Sequence, residues 1–171
     1  MALMLIIALP FLGMVLPLMA ERFGRVACSW ATAVMPMLSL GLLLNFSEIP
    51  FSGEKLVVSH DWLPELGLNL SLRLDGLSFL FGLLILGIGL LVILYARYYL
   101  SKSEPTGRFF SYFLFFMGSM LGLVFSENLL LMLMFWELTS LSSFLLISFW
   151  NHRADARQGA RMALAITGGG G

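Results

Sequence analysis

Charge is scarce in this chain. Of its 171 residues only 12% are Asp, Glu, Lys or Arg, while 59% are hydrophobic. Water-soluble domains carry about 25% charged and about 45–50% apolar residues. The mean hydropathy of +0.92 points the same way. There is too little polar surface to wrap a water-soluble globule, so the apolar excess must face lipid or neighbouring helices. Cysteine is almost absent: Cys28 stands alone. One thiol makes no internal disulfide, and without a CxxC or Cys/His cluster the sequence offers no metal or haem site. Cys28 reads as a small apolar residue within a helix. No Lys or Arg precedes the first apolar stretch, Met1 to Ala20. A cleaved secretory signal needs such a basic segment, so this stretch reads as a retained helix. The formal net charge is zero, which gives no footing for a nucleic-acid partner.

What the chain does have is long runs without charge. Residues 1–20, 26–47, 76–96 and 109–126 contain no Asp, Glu, Lys or Arg, and 128–151 contains only Glu137. About 20 apolar residues span a bilayer core as a helix, so each run is long enough. The expected fold class is all-α. It is a polytopic membrane helix bundle with five transmembrane helices plus the start of a sixth, over about 160–171. The whole of 1–171 is expected to be the N-terminal part of one membrane domain. The last run, Met162 to Gly171, ends in four glycines. As a helix it covers only about half the bilayer core, so it reads as a truncated span. Pro10 and Pro36 are expected to kink their helices. Gly118-x-x-x-Gly122 fits close helix packing.

The connecting segments carry the charge asymmetrically. Arg22 and Arg25, then Arg97, Lys102 and Arg108, then Arg153, Arg157 and Arg161 all fall on one side of five alternating spans. The other side holds Lys55 and Arg73 with the acids Glu48, Glu54, Asp61, Glu65, Asp75 and Glu127. The positive-inside rule puts the eight basic residues in the cytoplasm and the N-terminus outside. The loop 48–75 alternates apolar and polar residues from Leu68 to Leu74, predicting a short strand or extended piece. Asp75 is placed to cap the third helix, with ion binding as its other reading, and Glu127 to cap the fifth. His60 and His152 fall in predicted loops and read as ordinary surface. Phe109, Phe110, Tyr112 and Trp150 suit interfacial aromatic belts.

Glu137 carries the functional signal. It is the tenth residue of its run, roughly 14 Å along the helix and near the bilayer midplane. Ionisable groups at that depth are costly, and they mark ion paths or bundle interiors. At about 100° per residue, Ser140, Ser148 and Asn151 fall within about 60° of Glu137, a polar stripe toward the basic end. Two roles fit: a buried protonation site on a proton path, or a protonated carboxyl that joins two helices by a hydrogen bond.

The string Phe135-Trp136-Glu137-Leu138-Thr139-Ser140, continued by Leu141 to Ile147, closely resembles the fifth transmembrane helix of the A-type subunit of Mrp-type multisubunit Na⁺/H⁺ antiporters. That family is related to the large antiporter-like subunit of respiratory complex I. Leu74 to Phe81 (LDGLSFLF), Phe116 to Leu129 and Trp62 to Leu70 resemble the family's third-helix opening, fourth-helix exit and outer loop. Thr139-Ser140 and the glycines Gly168 to Gly171 suit the Mrp-type antiporter better than its complex I relative. The resemblance implies that Glu137 takes protons, working with a lysine of a seventh helix beyond Gly171, and that 1–171 is inactive alone. It implies a secondary transporter rather than an enzyme, set in a bacterial inner membrane, exchanging H⁺ for Na⁺ with partner subunits and no cofactor. A proton-pumping subunit of complex I type is the alternative; a non-transporting scaffold, with Glu137 as glue, is the third reading.

Overall fold

The computed structural model describes residues 1–63, 68–101, 104–150 and 154–170. Among these residues eight α-helices and one hairpin follow in chain order. They are α1 (Ala2–Gly13), α2 (Val15–Ala20), α3 (Arg25–Leu44), α4 (Ile49–Ser52), β1 (Leu56–Leu63), β2 (Leu68–Leu74), α5 (Gly76–Tyr99), α6 (Thr106–Phe125), α7 (Leu129–Ile147) and α8 (Ala154–Gly170). Five helical stretches are long and apolar enough to cross a membrane: Ala2–Phe23, Arg25–Ser52, Gly76–Tyr99, Thr106–Phe125 and Leu129–Trp150. This is the polytopic helical bundle expected from the charge-free runs. The 17-residue α8 runs through Gly168 and Gly169 as helix.

Proline shapes the first span, though the break is not at Pro10. Pro10 and Pro36 lie inside continuous helices, α1 and α3. The interruption comes at Met14, between α1 and α2. Pro17 has no N–H to give the carbonyl of Gly13, four residues back, so the helical ladder loses a rung there. Pro10 leaves the Ile6 carbonyl without its partner in the same way. The Ser39 hydroxyl of α3 donates to that carbonyl at 3.1 Å, and Ser39 is wholly buried. In an apolar interior an orphaned carbonyl is costly, and a neighbouring helix supplies the missing donor. Ser39→Ala is therefore expected to destabilise the α1–α3 contact by about 1–3 kcal/mol. Ser39→Thr, which keeps the hydroxyl, should cost less. Thermal denaturation in detergent of the two variants checks the order, and equal losses would show that bulk rather than the hydrogen bond matters.

Helix α6 is the hub. Leu114, Met117, Leu121 and Phe125 are buried with Leu3 and Ile6 of α1, Leu43 of α3 and Leu86 of α5 in one apolar core. At the glycine pair of α6 the nearest neighbouring atoms belong to side chains. A Cβ at Gly118 would meet the Phe11 ring of α1 at 2.8 Å, and one at Gly122 would meet the Phe135 ring of α7 at 2.3 Å. Each glycine is a seat for an aromatic ring from a different neighbour.

The loop 48–75 is more ordered than its polar composition suggests. β2 is the alternating segment, and it pairs antiparallel with β1 from Leu56↔Leu74 to Leu63↔Leu68, with an irregularity between His60 and Leu63. His60 thus lies in a strand, across from Leu70. Ser126 bridges to Leu72, and the Glu127 N–H donates to the Ser71 carbonyl at 2.9 Å, so the α6–α7 connection extends the hairpin. Arg73 joins this end, its guanidinium 3.3 Å from Asp75 and 3.1 Å from Glu127. Asp75 caps α5 in a reciprocal box: its carboxylate accepts the Ser78 N–H at 2.9 Å, and its own N–H donates to the Ser78 hydroxyl at 2.7 Å. The hydrogen bond from the Ser78 backbone, with Arg73 and Lys55 nearby, holds the Asp75 carboxyl below the usual carboxylate range.

The opposite end gathers the basic residues. The Arg25 guanidinium, at the start of α3, donates to the carbonyl of Leu100, the C-cap residue of α5. A cation at that end offsets the negative pole of the helix. Cys28 is buried there as a small residue, its thiol donating to the Pro17 carbonyl at 3.4 Å.

Candidate functional site in helix α7

Helix α7 opens with a cap and closes with a change of helix type. The Asn128 side chain accepts the Leu130 N–H at 2.8 Å. The α-helix then runs to Ile147, and Ser148–Trp150 form a 3-10 turn. Leu131 and Ser142 are buried, and Phe135 sits in the Gly122 seat, so this side of α7 meets α6. Glu137 lies about 120–160° around the helix from those three, by the helical repeat. It is exposed in this chain. Within these residues it stands on an outer face of a helix long and apolar enough to cross a membrane. On the face of α7 that carries Glu137, α8 comes near: a Cβ at Gly168 would lie 3.8 Å from the Glu137 Oε2. Among the described residues Glu137 makes no hydrogen bond and no salt bridge.

Of the polar stripe expected beside Glu137, Ser140 and Ser148 lie among the described residues, and neither is hydrogen-bonded to Glu137. Ser140 is buried, yet its hydroxyl donates to the Trp136 carbonyl at 3.3 Å on its own helix. Ser148 belongs to the 3-10 turn, where the α-helical repeat no longer holds, and it donates to the Leu145 carbonyl at 3.1 Å. Asn151 lies outside the described residues, as do His152, Arg153 and Lys102. No hydrogen bond among the described residues links Glu137, Ser140 and Ser148.

A different polar grouping forms instead. A cavity of about 260 Å³ lies between α6, α7 and α8, where Phe116 and Met120 face Trp136, Ser140, Ser143 and Thr167. Thr139, which also lines it, donates to the Trp136 carbonyl at 2.7 Å, and Thr167 to the Ala163 carbonyl at 2.7 Å. With those protons committed to the helices, Thr139, Ser140 and Thr167 offer lone pairs to the cavity, while the Ser143 hydroxyl and the Trp136 indole can donate. Such a lining can hydrogen-bond water through both donors and acceptors. Neither Ser143 nor Thr167 stands out in the sequence, because Thr167 comes from another helix and only the fold unites them. Among the described residues no group of His, Cys, Asp or Glu is arranged to hold a metal ion.

Two family models match the chain. The first, "NADH-Ubiquinone oxidoreductase (complex I), chain 5 N-terminus", covers residues 62–110, and the second, "NADH:quinone oxidoreductase/Mrp antiporter, TM", covers 126–169. The chain belongs to the NADH:quinone oxidoreductase/Mrp antiporter family of membrane subunits. A relative in Rhizobium meliloti (strain 1021), named as a probable K⁺/H⁺ antiporter A/B subunit, is 50% identical over 165 residues. The match takes in 96% of this chain and 16% of that protein. The Na⁺/H⁺ antiporter A1 subunit of Staphylococcus haemolyticus (strain JCSC1435) is 45% identical over 159 residues, 93% of this chain and 20% of its own. The chain therefore spans a fifth or less of the length of these curated relatives. Among solved structures, the Mrp complex from Dietzia sp. DQ12-45-1b superposes with a TM-score of 0.81 at 34% identity. That superposition covers 99% of this chain and 18% of the matched one. Glu137 lies within the second family segment, and Asp75 within the first.

Proposed function

We propose that this family member works as part of a multisubunit cation/proton antiporter, exchanging H⁺ for a monovalent cation across a bacterial cytoplasmic membrane. Its N-terminus lies outside and its basic end in the cytoplasm. The observation that carries the reading is Glu137. It is the one ionisable side chain of an otherwise uncharged apolar helix, and no group within the described chain compensates it. A carboxylate so placed is retained at a cost of several kcal/mol in a bilayer unless it serves ion or proton movement. The role proposed for Glu137 is reversible protonation, with the hydroxyl-bearing cavity beside Ser140 and Thr167 holding water nearby. The relatives' names speak for parts of an antiporter, and the charge asymmetry of the two ends supports the orientation through the positive-inside rule.

Na⁺ is the proposed counter-ion, with K⁺ as the competing choice because one relative is named for it. Partner subunits belong to the proposal, as does the bilayer itself. A proton-pumping subunit of complex I type is a second reading, favoured by the description of the family segment at 62–110. The experiment is cation-induced collapse of a pH gradient in everted vesicles that contain the full-length protein with its partners. A response to Na⁺ or K⁺ without NADH or quinone turnover supports the antiporter; none from the intact assembly moves the reading to complex I type.

A further inference from the structure

The loop between α5 and α6 contains a carboxylate that the sequence pattern does not single out. Glu104 folds that loop on itself: its Oε2 accepts the Ser101 N–H at 2.6 Å, and its own N–H donates to the Ser101 carbonyl at 3.2 Å. Its other oxygen, Oε1, accepts the indole N–H of Trp150. Trp150 closes the 3-10 turn after α7, at the elbow that leads to α8. Beside it, Phe149 sets its edge on Phe109 of α6, ring centroids 5.4 Å apart. The interfacial-belt reading of Trp150 thus leaves out its main contact, a charge-assisted hydrogen bond to a specific partner.

Helix α7 is pinned at three heights. Glu127 meets Arg73 and Ser71 at its start, Phe135 occupies the Gly122 seat, and Trp150 meets Glu104 at its end. Glu137 itself makes no hydrogen bond or salt bridge among the described residues, so the rotation of α7 decides which neighbours its side chain can reach. Between the Gly122 seat and Trp150, α8 comes up to the Glu137 side chain at Gly168. We infer that Glu104 is a positioning residue that, through Trp150, fixes the rotation of α7 and with it the direction of the Glu137 carboxylate. The inference rests on Glu137 being the protonation site.

The test uses the full-length protein in its complex. Trp150→Phe keeps an aromatic ring, though a smaller one, and removes the donor; Glu104→Gln keeps one acceptor and turns an amide toward the other N–H. Losing a charge-assisted hydrogen bond shifts the latched-to-free ratio of the elbow by about tenfold. Spin labels at Ile147 and Tyr98 should give one narrow distance in the parent and a broadened distribution in either variant. Cation-driven exchange should fall about tenfold in each, and the double variant should be no worse than either single change. An unchanged distance distribution, broadening with full exchange, or additive losses in the double variant would each overturn the inference. Retained exchange in Glu137→Gln would remove the protonation-site reading by a separate measurement, while the distances would still report whether the latch exists.

Discussion

Glu137→Gln is expected to abolish cation-driven proton exchange while leaving the complex assembled. Glutamine has nearly the same shape as glutamate and keeps a carbonyl oxygen and a donor. It fits the same space against Gly168, where Glu137 Oε2 already stands 3.8 Å from the position of a Cβ. What it cannot do is bind and release a proton. In an apolar helix, an uncompensated ionisable group has a hydrogen-bonding role or a titrating role, and this substitution separates the two. In everted vesicles at matched expression, the initial rate of the pH-gradient collapse should drop to background. Exchange at the parent rate would make Glu137 a helix-joining group and end the mechanism proposed for it. Loss of the assembled complex would instead point to a charge needed for folding, since an amide preserves a hydrogen bond but not the charge.

Gly122→Ala is expected to damage the α6–α7 seam more than any other single methyl added to the bundle. The new Cβ would stand 2.3 Å from the Phe135 ring, with backbone on one side and an aromatic ring on the other. Neither yields easily, so α7 must shift outward. Overpacking of this kind costs about 1–3 kcal/mol. The displacement begins two residues from Glu137, so transport should fall along with stability. Phe135→Leu, with a smaller side chain, should restore part of the loss when combined with Gly122→Ala. Gly87→Ala is the control, because a Cβ there meets no atom within 4 Å. Melting of the detergent-solubilised complex, followed by size-exclusion chromatography, orders the variants. If Gly122→Ala melts with the parent, the Phe135 seat carries no packing strain and the account of the seam is wrong.

The fold is largely legible in the sequence because membrane helices announce themselves by length and apolarity. The charge-free runs correspond to five apolar helices, and the alternation at Leu68–Leu74 is a strand. Its partner strand is not legible. Val57 and Val58 are adjacent apolar residues, which breaks the period-two pattern that betrays a half-buried strand. The break at Met14 is hidden because two prolines share the first span, and only Pro17 decides where the ladder fails. The candidate site divides in the same way. Glu137 is visible in sequence as a lone charge, but its exposure depends on which neighbours reach that face of α7. Ser148 aligns with it only if the α-helix continues past Ile147, and it does not. Glu104 is hidden because a single acid in a basic loop has no pattern; its meaning comes from Trp150, 46 residues away.

The Ser39 bond to the Ile6 carbonyl also has a consequence for biogenesis. The two residues are 33 positions apart. At synthesis rates of about 5–20 residues per second, the carbonyl exposed by Pro10 waits about 2–7 s for its donor to be made. During that interval the first span cannot enter lipid without leaving an unsatisfied polar group in hydrocarbon. It is therefore expected to linger at the insertion machinery and leave it as a pair with the second span. Nascent chains arrested before Ser39 has emerged should crosslink through α1 to that machinery, and longer ones should not. Release of α1 at both lengths would mean that the first helix tolerates lipid alone.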